Sequence, residues 1–176
     1  MIFWDNLLRT ASSPVMGPQH LGRLIDEHAG ALMLYARQWC PCPEDVVQEA
    51  FVRLASQPSI PDNVVAWLYR VVRNASVSAA RSEKRRQRHE SAAAARRPAW
   101  FVPIEGAALD ADAATMALEG LPVELRETVV AHLWGGLTFE QIGELTGVSS
   151  STAHRRYLQA LADLRERLRV SCPKTN

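Results

Sequence analysis

The chain has 176 residues, of which 47% are hydrophobic and 22% charged; that length suits one ordinary domain or two small ones, and that composition excludes disorder throughout. It holds no run of about 18 apolar residues, which excludes a spanning helix, and its 20 basic and 19 acidic residues leave a net charge of +1 that by itself argues against a polyanionic partner. The opening Met1-Ile2-Phe3-Trp4-Asp5 has neither the basic nor the long apolar stretch of a secretory signal, so the expected location is the cytoplasm.

Residues 1–18 carry Ser12, Ser13, Pro14, Gly17 and Pro18, loop signals without periodicity, and are expected to form a tail. From His20 to Trp39 the apolar residues Leu21, Leu24, Ile25, Ala29, Leu32, Met33 and Ala36 recur at helical spacing. The prolines at 41 and 43 end that helix, because proline cannot continue it and restricts the residue before it. Glu44 and Asp45 then open a second helix, where acids suit the positive end of the dipole. Its apolar stripe is Val46, Val47, Ala50, Phe51 and Leu54, with Asp45, Gln48, Glu49 and Arg53 elsewhere on the circumference. After a loop at 57–62 a long helix begins near Asn63, burying Trp67, Leu68, Val71, Val72, Ala75 and Ala79 and turning basic after Arg81. The spacing of Trp67 to Val71 and Ala75 predicts a core tryptophan rather than a stacking platform.

Pro98 and Pro103 interrupt any regular element, so 91–112 reads as a linker. Beyond it one helix precedes Gly120, Leu121 and Pro122, and another follows with Leu125, Val129 and Leu133 at steps of four. Thr138-Phe139-Glu140-Gln141 is a capping box. Its helix turns Ile142 and Leu145 inward and has Gly143 where a second helix comes close. Gly147 stands where a left-handed residue closes the turn, Val148 plugs it, and Ser149 or Ser150 caps the next helix. The inner stripe of that last helix is Ala153, Tyr157, Ala160 or Leu161, Leu164 and Leu168. Together these form a helix-turn-helix whose outer face presents Ser151, Thr152, His154, Arg155 and Gln159, groups able to reach base edges and phosphates in a major groove. No strand-period segment appears, so the expected fold is all-α.

The near-neutral total conceals segregation. Between Arg70 and Arg97 lie nine basic residues against Glu83 and Glu90, whereas 98–125 holds Glu105, Asp110, Asp112, Glu119 and Glu124 and no basic residue. Arg155, Arg156, Arg165, Arg167 and Arg169 make a second basic block against Asp163 and Glu166. Two basic blocks around an acidic connector suit two modules that touch a polyanion, because clustered charge sets the local potential whatever the total.

Two separate stretches resemble one family, the extracytoplasmic-function (ECF) sigma factors of bacterial RNA polymerase. Glu44-Asp45-Val46-Val47-Gln48-Glu49-Ala50-Phe51-Val52-Arg53-Leu54 is similar to the family's region 2.2, and Ala66-Trp67-Leu68-Tyr69-Arg70-Val71-Val72-Arg73-Asn74 to its region 2.3–2.4. Leu121 through Leu168 resembles region 4, including Leu-Pro and the closing Leu164-Arg165-Glu166-Arg167-Leu168. The resemblance implies two small helical domains, region 2 over 19–90 and region 4 over 113–172, on either side of the acidic linker. Its partners would be core RNA polymerase (β′ clamp and β flap), promoter DNA and an anti-sigma factor, with no cofactor, no membrane insertion and no enzymatic activity.

By the same resemblance Asp45, Gln48, Glu49 and Arg53 would dock on the β′ clamp helices. The 57–66 loop with Arg70, Arg73 and Asn74 would meet the minus-ten element and trap an unstacked base, which needs a preformed pocket and phosphate-binding arginines. Arg81, Lys84, Arg85, Arg86 and Arg88 would follow the duplex backbone. Ser151, Thr152, His154, Arg155 and Gln159 would read the minus-35 element. His154, Arg155 and Gln159 depart from the family's commoner Lys, Ser and Arg, which implies an unusual promoter preference. Gly143 stands where the family usually has Ala, a change expected to weaken that helix by about 0.5–1 kcal/mol without altering its geometry.

Cys40, Cys42 and Cys172 make a poor disulfide framework and match no zinc spacing, and no nucleophile triad, phosphate loop or paired carboxylates stand out. Two other readings of the residues are a stand-alone helix-turn-helix regulator with an N-terminal sensing or dimerisation module, and an all-α interaction adaptor.

Overall fold

The computed structural model describes residues 16–89 and 110–171, which form seven helices and, among the described residues, no strand. The linker expected at 91–112 lies mostly outside them. Three helices make the first group: α1 (Pro18–Ala36), α2 (Pro43–Ala55) and α3 (Val64–His89). The second group is α4 (Asp110–Glu119), α5 (Val123–Leu133), α6 (Phe139–Thr146) and α7 (Ser150–Ser171). Proline marks the starts of α1 and α2, at a position where its missing N–H would be an orphan anyway. Asn63 starts α3, its Oδ1 accepting from the Ala66 N–H at 2.8 Å. α4 begins at Asp110, inside the stretch that proline spacing assigned to the linker. Acids at 110 and 112 suit a helix start.

In α2, Val47, Ala50, Phe51 and Leu54 are buried, and in α3 Leu68 and Val72, with Trp67 half-buried against them. Tyr69 and Ser76 of α3 are also fully buried, although they stand outside the stripe that helical periodicity marks. The reason lies in the neighbours of their flank. Ser76 Oγ accepts from the Cys40 thiol at 3.8 Å, and Tyr69 faces the second group.

The turn between α6 and α7 is built as its residues demand. Thr138 Oγ1 accepts from the Gln141 N–H at 3.3 Å, while the Gln141 side chain accepts from the Thr138 N–H at 2.8 Å. Gly147 adopts φ 76°, and the N–H groups of Gly147 and Val148 both donate to the Gly143 carbonyl, at 2.8 and 2.9 Å. Ser149 caps α7, its Oγ accepting from the Thr152 N–H at 3.2 Å. Gly143 departs from expectation. A β-carbon there would lie 2.7 Å from the Val148 carbonyl oxygen and 3.2 Å from the Ser150 nitrogen, so alanine cannot replace it without altering the geometry.

α5 is buried almost all round: Leu125, Glu127, Thr128, Val129, Val130 and Ala131 are covered, and Leu133, the third member of its expected stripe, is exposed. A helix covered on most sides sits between two layers. Here one layer is α6 and α7 and the other is α1, so the buried residues of both groups form one continuous core.

Candidate nucleic-acid interface

At about 100° per residue, Asp45, Gln48, Glu49 and Arg53 fall on one face of α2, and all four are exposed. Arg53 Nε donates to Glu49 Oε1 at 2.8 Å, a pair that holds both side chains flat along the helix. Val52 stands in the middle of this face and is 53% exposed. Charge around one apolar knob is what a helix-on-helix contact uses. Its spacing, outside the stripe of Val47, Ala50, Phe51 and Leu54, is the signal by which the sequence marks Val52 as outward-facing.

On α3, Arg70, Asn74, Arg81, Lys84 and Arg85 share an exposed band about 100° wide, and Arg85 donates to Ser82 Oγ at 3.0 Å. The side chain of Arg88 lies outside the described residues. Two of the expected residues leave the band. Arg86 lies more than a quarter of a turn from the band's edge and pairs with Glu83, its Nε donating to Oε2 at 3.0 Å. Arg73, at the band's edge, turns to the second helix group, its Nε donating to Glu127 Oε1 at 2.7 Å.

The same Glu127 oxygen accepts from the Tyr35 hydroxyl at 2.5 Å. Burial, then the Glu127 charge and its hydrogen bond, push the Tyr35 hydroxyl well above the ordinary tyrosine range. For Arg73 burial is the largest influence and acts downward, but the bond to Glu127 and its charge outweigh it, so the guanidinium is held above its ordinary value. Tyr69 completes this face. Its ring lies edge-on to Tyr35 with centroids 4.8 Å apart, its hydroxyl is buried without a hydrogen-bond partner, and burial raises its pKa. Gly135, in the loop after α5, approaches so closely that a β-carbon would lie 2.6 Å from the Tyr69 ring. Tyr35, Tyr69, Glu127 and Gly135 had no signal in the sequence, because their partners lie far along the chain.

On α7, Ser151, His154, Arg155 and Gln159 are exposed, with Leu158 among them. Thr152 is half-buried, and its hydroxyl accepts from Ser149 Oγ at 2.9 Å within the cap, so its oxygen is largely engaged. His154 packs on Phe139, centroids 4.8 Å apart, and Phe139 stacks on His132 at 4.5 Å. The ring under His154 narrows the directions in which its imidazole can point. Among the described residues no three His, Cys, Asp or Glu side chains gather as a metal site.

The model of Sigma-70 region 2 matches residues 24–86 and that of Sigma-70 region 4 matches residues 111–164. The ECF RNA polymerase sigma factor SigL of Mycobacterium tuberculosis is 31% identical over 150 residues, which is 81% of this chain and 85% of that one. The RNA polymerase sigma factor CarQ of Myxococcus xanthus is 32% identical over 133 residues, covering 71% and 74%. Among solved structures the fold is similar to that of the sigma factor RpoE of Bartonella quintana in complex with the anti-sigma factor NepR (TM-score 0.68, 23% identity, 86% and 97% covered). It is also similar to that of CnrH in complex with the cytosolic domain of CnrY (TM-score 0.56, 20% identity, 89% and 92% covered). With both sigma regions matched in order and a relative aligned over most of its length, the chain belongs to the ECF sigma factors, the subunits that bind core RNA polymerase and direct it to promoters to initiate transcription.

Proposed function

We propose that this sigma factor divides its work among three helix faces. The α2 face of Asp45, Gln48, Glu49 and Arg53, centred on Val52, docks on the β′ clamp of core polymerase, and region 4 meets the β flap. The α3 band of Arg70, Asn74, Arg81, Lys84, Arg85 and Arg88, joined by Arg73 and Arg86, takes the minus-ten element and the duplex just upstream. The α7 face of Ser151, Thr152, His154, Arg155 and Gln159 reads the minus-35 element. What carries this reading is the alignment of cations and Asn74 on one exposed band of α3, in the segment that region 2 matches. A periodic band along a helix tracks a phosphate backbone, and an amide between its cations suits a base edge.

The role is recognition rather than catalysis, and it is exercised where the polymerase is, in the cytoplasm; no described helix is long and apolar enough to cross a membrane. An anti-sigma factor is the regulatory partner that the two solved neighbours suggest. The test is multiple-round transcription with purified core polymerase on promoters mapped by overexpressing the chain. Core-dependent initiation that is lost in D45A/E49A/R53A and in R81A/K84A/R85A supports the assignment. Initiation unaffected by either set refutes it.

A further inference from the structure

Regions 2 and 4 meet on a built surface. Region 2 contributes Tyr35, Tyr69 and Arg73; region 4 contributes Glu127 and Gly135. The Glu127 side chain is only 5% exposed and has two donors on one oxygen, whereas Arg73 keeps 28% exposure. A carboxylate taken out of water is tolerated only while its donors hold it. Closure therefore depends on Arg73 and Tyr35. The contact also carries a cost that opening recovers, since the Tyr69 hydroxyl is buried without a partner.

Promoter geometry demands opening. Elements centred near positions ten and thirty-five are about 25 base pairs apart, roughly 85 Å at about 3.4 Å per pair. An Arg73 bonded 2.7 Å from a region 4 carboxylate cannot belong to a chain engaged on both. We propose that Glu127 is an intramolecular substitute for a DNA phosphate: it occupies Arg73 in the free chain, latches region 4 onto region 2, and withholds the edge of the α3 band until the regions separate. The latch rests on the assignment of the α3 band to promoter DNA. Arg73 serves two acidic partners in turn, the cis carboxylate and the strand.

The test uses the full chain, small-angle scattering for closure, and fluorescence anisotropy with a labelled mixed-sequence 20-nucleotide single strand for access to the band. The wild type is expected near the radius of gyration of a compact chain of this length, about 16 Å. E127Q is expected to expand by several ångström and to bind the strand at least about fivefold more tightly. Adding R73Q to E127Q is expected to keep the expansion and abolish the gain. Y35F, which keeps the ring, is expected to shift both readouts the same way by less, and it serves if E127Q does not fold by circular dichroism. Unchanged dimensions and affinity in both E127Q and Y35F would overturn the latch. Expansion with a gain that survives R73Q would overturn the exchange at Arg73. An E127Q chain that opens and gains strand affinity, alongside core-dependent initiation indifferent to the α3 cations, would leave the latch standing and sink the promoter assignment instead.

Discussion

Gly143→Ala sets two effects of known size against each other. Alanine in a helix is favoured over glycine by about 0.5–1 kcal/mol, and family resemblance alone therefore predicts a more stable protein. In the structure the new methyl would meet the Val148 carbonyl oxygen at 2.7 Å, the Ser150 nitrogen at 3.2 Å and the Ser149 carbonyl carbon at 3.3 Å. All three are backbone atoms of a turn that cannot yield cheaply: it is tied to the Gly143 carbonyl by two hydrogen bonds, held by Gly147 at φ 76° and closed by the Ser149 cap. Forcing an extra methyl into such packing costs about 1–3 kcal/mol. Taking the middle of each range, net destabilisation of about 1 kcal/mol follows once the propensity gain is subtracted. Urea unfolding followed by circular dichroism would show a lower midpoint at unchanged slope, and α7 would tilt relative to α6, so that minus-35-dependent promoters weaken more than the loss of folded protein explains. A G143A chain as stable as wild type or more so would refute the packing argument and restore the simpler propensity account.

Thr138→Ala removes one half of the capping box and should cost about 1 kcal/mol, read from the same urea curves; Thr138→Ser should recover most of it. The tyrosines give a pH prediction. Tyr35 and Tyr69 are raised in the fold, Tyr35 by burial and the Glu127 carboxylate, Tyr69 by burial, so the folded state holds their protons more tightly than the unfolded state and their contribution is intact below about pH 10. Stability should then fall as pH climbs above that value, and absorbance at 295 nm should show fewer than the three tyrosines of the sequence titrating while the far-ultraviolet dichroism is native; all three titrating near pH 10 in the folded chain would contradict it. Arg155→Ala should change which upstream sequences are used, while R81A/R85A should weaken all promoters alike and reduce the salt slope. Equal, sequence-independent losses from both would show that α7 does not read bases.

Legibility in the sequence followed the range of each signal. The capping box, the turn glycine, the proline starts and the apolar stripes act within about four residues, so the helices of both regions and the three exposed faces could be read directly. Periodicity alone places Trp67 against the core, where it is half-buried. α5 resisted the same method: a stripe at steps of four marks one buried side, and Leu125 and Val129 obey it, but Leu133 is exposed and Glu127 is buried. A glutamate between apolar residues reads as a solvated position, and nothing local says otherwise, because its donors stand 54 and 92 residues away in Arg73 and Tyr35.

The same distance explains why nothing in the sequence around Arg73 marks it as facing region 4. Its neighbours along α3, Arg70 and Asn74, point outward, and the family motif treats the segment as one surface. Helical geometry sets it about 60° from Arg70, enough to turn the guanidinium from the band to the seam between the regions. A cation at the rim of two surfaces can be claimed by either, and burial decides the terms. Against the buried Glu127 carboxylate its pairing is partly shielded from water and salt, Arg73 itself being 28% exposed, whereas a fully exposed cation on a phosphate is screened more. Raising the salt therefore weakens the strand's claim on Arg73 more than the carboxylate's, and the free chain should become harder, not easier, to open onto DNA as ionic strength increases.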